Sequence, residues 1–259
     1  MGFSCFTFVR NRNKTAKRRS IERLKPTVVK DLRYLQERDW FSNFAFQVFR
    51  DYFPDRSAFD TFVDSIAANE EKSRFLKVAS FCKFLVKDGR FSVAGAEEAK
   101  YFDETYRFLA ICALIEWVEP RVRVKGFYSW VSKSPAAFPI QGPQELKALH
   151  QQYRNHSRLV TKMASFFRRL DGASKRELES SIKVHRQPMP IDEVARTLYG
   201  LRSEFMHDAR LIVELSGVKT LSPQHPGREI TLPLERLERI FERGVLLRFG
   251  YPAPASWPK

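Results

Sequence analysis

The sequence predicts an all-α fold, a helical bundle with an additional N-terminal helical part, from three observations. Segment after segment places its apolar residues at helical spacing, with prolines and glycines between segments. From Asp31 to Phe91 no apolar–polar alternation is long enough for a strand. The stretch Ile191 to Gly217 reads as one long amphipathic helix, and the rest of the chain is arranged around it.

The chain has 259 residues, enough to bury a sizeable core in one or two domains. It is 43% hydrophobic, and its 23 phenylalanines point to a core filled largely with rings. The net charge is +15, which attracts polyanions, of which nucleic acid is the usual one. The bland alternative is that the charge serves solubility alone. Cys5, Cys82 and Cys112 have no metal-ligand spacing, and Cys82 and Cys112 fall inside apolar helical patterns. Buried thiols in a reducing, cytoplasmic setting are expected, with no metal and no cofactor. The longest apolar run, Phe108 to Val118, is interrupted by Glu116 and is too short for a membrane span. The N-terminus is apolar first and basic second, the reverse of a secretory signal. Phe6 stands where a myristoylated Gly2 wants Ser or Thr.

Residues 1–30 hold nine basic residues against Glu22 alone and read as a basic arm, suited to phosphates or left as a loose tail. Residues 31–95 form an N-terminal helical region. WFSNFAFQVFRDYF stops at Pro54, and SAFDTFVDSIAANEE follows, with Ser57 and Asp60 near its start. KSRFLKVASFCKFLVKDG puts Phe75, Val78, Ala79, Cys82, Leu85 and Val86 on one side and ends at Gly89. Residues 92–98 are a joint, and residues 96–250 a second helical domain. Its first helix, Tyr101 to Glu119, is apolar nearly throughout, with Glu116 the one interior carboxylate, which needs a partner or water. Residues 121–143 are irregular, broken by Pro135, Pro139 and Pro143.

Gln144 to Leu170 reads as the next helix. His150, Arg154, Arg158, Lys162 and Arg169 fall close to i, i+4 spacing along it. Such a stripe is either an RNA-backbone track or a solvated charged face. Ser174 and Glu177 make a capping box for a helix over SKRELESSIKV. His185 lies in a linker between this helix and the next. The segment VKTLSPQHPGREITLP is expected to be a loop. LERLERIFERGVLLRF is a final amphipathic helix with Leu234, Leu237, Ile240, Phe241 and Leu247 inward. Residues 251–259 are expected to be a coil tail.

In the central stretch, Ile191, Val194, Leu198, Leu201, Phe205, Ile212 and Leu215 recur at helical spacing. Ser203, His207, Arg210 and Glu214 form a separate polar stripe. Arg202 and His207, five residues apart in LRSEFMH, lie about 140° apart on an ideal helix, a gap that a long guanidinium stem closes in part. A neutral histidine suits proton abstraction near neutral pH, and an arginine suits phosphate oxygens. The pair fits metal-free RNA cleavage, in which the ribose 2′-hydroxyl attacks the adjacent phosphorus. The products are a 2′,3′-cyclic phosphate and a 5′-hydroxyl, and DNA lacks the nucleophile. Phosphate-binding glycine loops, H-E-x-x-H, paired C-x-x-C and G-x-S-x-G motifs are absent.

YGLRSEFMH on a late amphipathic helix resembles the R-x4-6-H motif of the HEPN superfamily, many of whose members are ribonucleases. The lead-in Leu198, Tyr199, Leu201, Arg202 and Ser203 looks most like its Apea-like branch. The resemblance covers roughly residues 96–250 and is specific mainly at 198–207. It implies a HEPN-type bundle and a homodimer in which two such helices share one cleft, each contributing Arg202 and His207. It also suggests that Glu116 orients Arg202; the alternative is a carboxylate reaching solvent. Ser203 stands where relatives often have Asn, Asp or His, although the Apea-like branch commonly has Ser. Gly200 allows close backbone approach or a kink. Ala209 replaces the tyrosine that some HEPN toxins modify for silencing, so that control is not expected.

The resulting expectation is a metal-independent endoribonuclease, a toxin or antiviral defence effector. Arg202, His207, Ser203 and Glu116 would form the site, and Arg154, Arg158, Lys162, Arg169 and Arg210 would hold RNA. An antitoxin or activating protein is a possible partner. The alternative is a noncatalytic module binding nucleic acid or protein through the same helix, and a third is a helical adaptor whose charge serves only solubility.

Overall fold

The computed structural model describes residues 38–90, 99–119, 127, 131–132, 140–157, 159–217, 220–221, 227–254 and 257. The basic arm of residues 1–30, the joint at 92–98, most of the irregular segment 121–143, and Arg158 lie outside the described residues. Asp31–Lys259 form one compact unit, and the protein is all-α in class.

Four helical segments precede the central layer. They are α1 (Arg38–Phe49), a 3-10 turn (Arg50–Tyr52), α2 (Arg56–Ser65) and α3 (Asn69–Cys82). In α1, Phe41, Ala45, Val48 and Phe49 are buried, a stripe at helical spacing. Asp55 caps α2 by accepting the Ala58 N–H at 2.8 Å. The α3 helix runs on into one π-helical turn, Lys83–Lys87, closed by the Asp88 N–H donating to the Lys83 carbonyl. The wider turn moves side chains around the axis. Phe75, Val78, Ala79, Cys82 and Val86 are buried as the spacing predicts, but Leu85 is 46% exposed.

The second half is built on α4 (Ala99–Val118), which packs against α3, α6, α8 and α9. The following elements are α5 (Pro143–Ser157), α6 (Leu159–Arg168), α7 (Gly172–Ser181), α8 (Ile191–Asp208) and α9 (Leu234–Arg248). The cap of α7 is Asp171, not Ser174. Asp171 accepts the Ala173 and Ser174 N–H groups at 2.9 and 3.0 Å, and Ser174 donates its hydroxyl to it. Glu177 pairs instead with Arg236 and Arg243 of α9, so long-range charge wins over the local box.

The chain leaves α7 three residues earlier than the sequence suggests and enters a small antiparallel sheet. Its strands are β1 (Ile182–Val184), β2 (Gln187–Pro188), β3 (Thr220–Leu221) and β4 (Arg228–Ile230), ordered β2-β1-β4-β3. Ile182 faces Ile230, and Val184 faces Arg228. His185 and Arg186, both at positive φ, make the tight turn of the β1–β2 hairpin. The segment expected to be a loop therefore contributes β3 and β4. Runs of two or three residues are too short for alternation to register.

The core is continuous from α1 to α9. Rings of Phe49 and Phe75 stack at 5.4 Å, and those of Phe166 and Phe241 at 5.9 Å. Among the charged groups, Glu238 and Glu242 of α9 are nearly fully buried. Arg107 and Lys87 pair with them, and Tyr52 donates to Glu242 at 2.9 Å. Cys82 and Cys112 are buried free thiols. Residues 251–254 and Trp257 lack regular structure yet are tied down. Tyr251 donates to the Tyr52 carbonyl at 2.9 Å and Trp257 to Asp171 at 2.8 Å. No helix among the described residues is long and apolar enough to cross a membrane.

Candidate active site

The motif helix is shorter than its periodicity suggests. α8 begins at Ile191 behind Pro190, with Asp192 and Glu193 in its first turn, and ends at Asp208. Ala209 takes the left-handed conformation (φ 52°) and its N–H donates to the Phe205 carbonyl at 3.0 Å. Ile212 and Leu215 are buried, as their spacing implies, but they drop into the core from irregular backbone. The Ile212 N–H donates to the Thr105 hydroxyl of α4 at 3.0 Å. Arg210 and Glu214 therefore do not continue a helical stripe with Ser203 and His207.

Within α8, Val194, Ala195, Leu198 and Leu201 are buried, which turns the opposite face outward. His207 is exposed and has no hydrogen-bond or ion-pair partner among the described residues. Ser203 is half-buried. At Gly200 an added Cβ would meet nothing within 4 Å among the described residues, and the helix runs through it. Among the described residues that glycine serves no close approach.

Arg202 turns toward α4. Its Nη2 lies 3.4 Å from Oε1 of Glu116, both side chains being 22% exposed. Its guanidinium also sits over the Tyr199 ring, 5.7 Å from the centroid. Glu116 has a second cation beside it, since Lys162 of α6 donates to the Glu116 backbone carbonyl at 3.3 Å. Burial pushes the Glu116 carboxyl above the usual glutamate range, against the pull of Arg202 and then Lys162. Cys112 lies beneath, and burial pushes its thiol well up, with Arg202 opposing. Two cations on one reluctant carboxylate leave a local positive excess, the electrostatics an anionic ligand requires.

The structure thus brings Arg202, Glu116 and Lys162 together, with Ser203 and His207 on the same helix as Arg202. It places the other basic candidates differently. Arg169 is paired with Glu119, a carboxylate only 3% exposed. Arg210 is paired with Glu204 and, at 2.6 Å, with Glu214. The Arg154 side chain and Arg158 lie outside the described residues. Sequence reasoning missed Tyr106 of α4, whose ring meets Phe205 edge to face at 5.9 Å and is 46% exposed, and Met206, 57% exposed. It also missed the partners of Arg210. The one available signal was Glu214, a lone carboxylate in the apolar run Leu211 to Leu215.

No protein-family model, curated protein or solved structure matches the chain. The functional reading therefore rests on the motif and on this geometry. Among the described residues no group of three or more His, Cys, Asp or Glu side chains is placed to hold a metal ion.

Proposed function

We propose that the protein is a HEPN-type, metal-independent endoribonuclease. The observation that carries the reading is the Glu116–Arg202 pair on the helix that presents an exposed His207. In this reading Arg202 binds the scissile phosphate and offsets charge growing on its oxygens. Glu116 orients the guanidinium, and Lys162 adds a second positive charge for the RNA backbone. His207 takes the proton of the 2′-hydroxyl, which attacks phosphorus as the P–O5′ bond breaks, and the leaving 5′-oxygen takes a proton from water to give the 5′-hydroxyl. Ser203 offers a hydroxyl to phosphate or imidazole.

Two copies are proposed to meet through the outer face of α8, where Gly200 leaves open space and Met206 is exposed. A cytoplasmic toxin or antiviral effector, restrained by an antitoxin or released by an activator, fits this chemistry. The second reading, a noncatalytic module, is favoured by the exposed Tyr106 and Met206 beside the motif, which suit a partner surface.

The experiment uses end-labelled structured RNA with excess EDTA. Wild type is compared with Arg202→Ala and His207→Ala, and with RNA carrying 2′-deoxy sugars at the cut positions. Cyclic-phosphate ends from wild type alone, absent at deoxy sites, support the ribonuclease. A folded dimer that binds but leaves tRNA, mRNA and rRNA intact supports the module.

A further inference from the structure

We propose that Arg210 is a positioning residue that fixes His207 by clamping the end of α8, and not an RNA contact. The inference rests on the reading of His207 as the general base. His207 is next to last in α8, and helix ends fray unless something holds them. Two residues on, the chain turns sharply through Ala209, a non-glycine residue at φ 52°. Such a conformation persists when its surroundings impose it. The Arg210 guanidinium supplies the imposition. It reaches back to Glu204, three residues before His207, and forward to Glu214 at 2.6 Å.

Glu214 is 1% exposed, so the forward arm is anchored in the interior. A buried carboxylate holds its cation firmly, because separating them leaves a charge without solvent. Arg228 at the start of β4 completes the cluster. Its Nε is buried without a hydrogen bond among the described residues, and Glu204 and Glu214 are the charges that act on it. Among the described residues, these two arginines and two glutamates offset one another, which leaves little attraction for a phosphate. On the other flank of the same helical turn, Phe205 rests on Tyr106, and Ile212 is tied to Thr105. The histidine backbone is thus gripped from both sides while its imidazole stays in solvent.

The test uses the full-length protein. Arg210→Met keeps the stem and removes both pairs. Glu204→Gln removes one arm and leaves buried Glu214 paired, so it remains informative if Arg210→Met does not fold. Three measurements are made: kcat and KM on cleavable RNA, binding of a 2′-deoxy-blocked RNA across salt, and the His207 ring resonances by NMR. Misplacing a catalytic group by about 1 Å costs about a hundredfold in rate. The expected result is a kcat about a hundredfold lower in Arg210→Met and about tenfold lower in Glu204→Gln. KM and salt slope stay unchanged, the His207 resonances shift or broaden, and Arg210→Lys restores part of kcat.

A weaker affinity for blocked RNA in Arg210→Met, with a salt slope smaller by about 0.7, would overturn the proposal in favour of a phosphate contact. Unchanged kcat and His207 resonances in Glu204→Gln would overturn it in favour of a purely structural pair. Should wild type cut no RNA, the base role of His207 falls separately. The resonances then still decide the positioning, shifted in the variants if Arg210 holds the helix end and unshifted if it does not.

Discussion

Arg202 of α8 and Glu116 of α4 stand 3.4 Å apart, each side chain about one-fifth exposed. Helix α4 carries Glu116 in its apolar C-terminal half, and α8 brings the guanidinium that pairs with it among the described residues. A half-buried pair of this kind fixes direction more than it adds stability.

Glu116→Gln separates those two contributions. Burial pushes the Glu116 carboxyl up more than Arg202 and Lys162 pull it down, so its folded value lies above its unfolded one. The stability linked to this group is fully present below the ordinary glutamate range and is lost as pH rises through the folded value. At pH about 8 the charge is therefore a net cost, and the amide removes it. The melting temperature at that pH is expected to stay level or rise, while kcat falls about tenfold to a hundredfold as Arg202 loses its orientation. A melting temperature several degrees lower would mean that the attraction to Arg202 outweighs burial.

Lys162 of α6 and Arg169, just past its end, fall on one basic stripe in the sequence pattern but have different partners. Lys162 donates to a carbonyl and keeps its charge available, whereas Arg169 is held by buried Glu119. Lys162→Ala is expected to weaken RNA binding and reduce the salt slope by about 0.7, with stability changed by about 0.5 kcal/mol or less. Arg169→Ala leaves Glu119 unpaired and should cost about 2 kcal/mol or more in urea unfolding. The folded protein should retain its RNA affinity. Equal loss of affinity in both variants would restore Arg169 as a backbone contact.

Gly244 is the point where α9 meets α6. A Cβ there would fall 2.7 Å from Cε1 of Phe166, a ring that is fully buried. Gly244→Ala should destabilise by about 1–3 kcal/mol through overpacking. Phe166→Leu in the same chain should return part of that loss, and neither change alters the motif helix. Thermal melts of the two single variants and the double variant measure the coupling, and additive effects would show that the ring moves aside freely.

Asp171 couples pH to the joint between α7 and the C-terminal segment. Burial raises its carboxyl, but hydrogen bonds from Ser174, Trp257 and Ala173 together hold it below the usual aspartate range. A depressed carboxylate contributes stability above its unfolded value, and that contribution is lost as pH falls through the folded value. Asp171→Ala should cost about 1 kcal/mol at pH 7. The gap from wild type should close as pH falls below about 4. Urea titrations at pH 7 and pH 3 measure both; a gap that persists at pH 3 would assign the loss to packing.

The sequence by itself determined the helical class, most buried stripes, the final helix and the outward face carrying Ser203 and His207. Apolar spacing records which residues leave water, and that record survives without knowledge of neighbours. It does not record the backbone that buries them. Ile212 and Leu215 keep helical spacing yet lie beyond the helix, because a turn after Ala209 delivers them to the core equally well. Leu85 faces outward because one π-helical turn shifts it. The sheet stayed hidden because β1 and β4 hold three residues each and find one another across the whole of α8. The charges divide in the same way. The basic pattern marks where cations are, but only tertiary structure decides that Lys162 stands beside Glu116 while Arg169 and Arg210 are spent on Glu119, Glu204 and Glu214. The physical reason is range: a carboxylate is matched by the cation that packing brings within a few ångströms, and sequence separation says nothing about that distance.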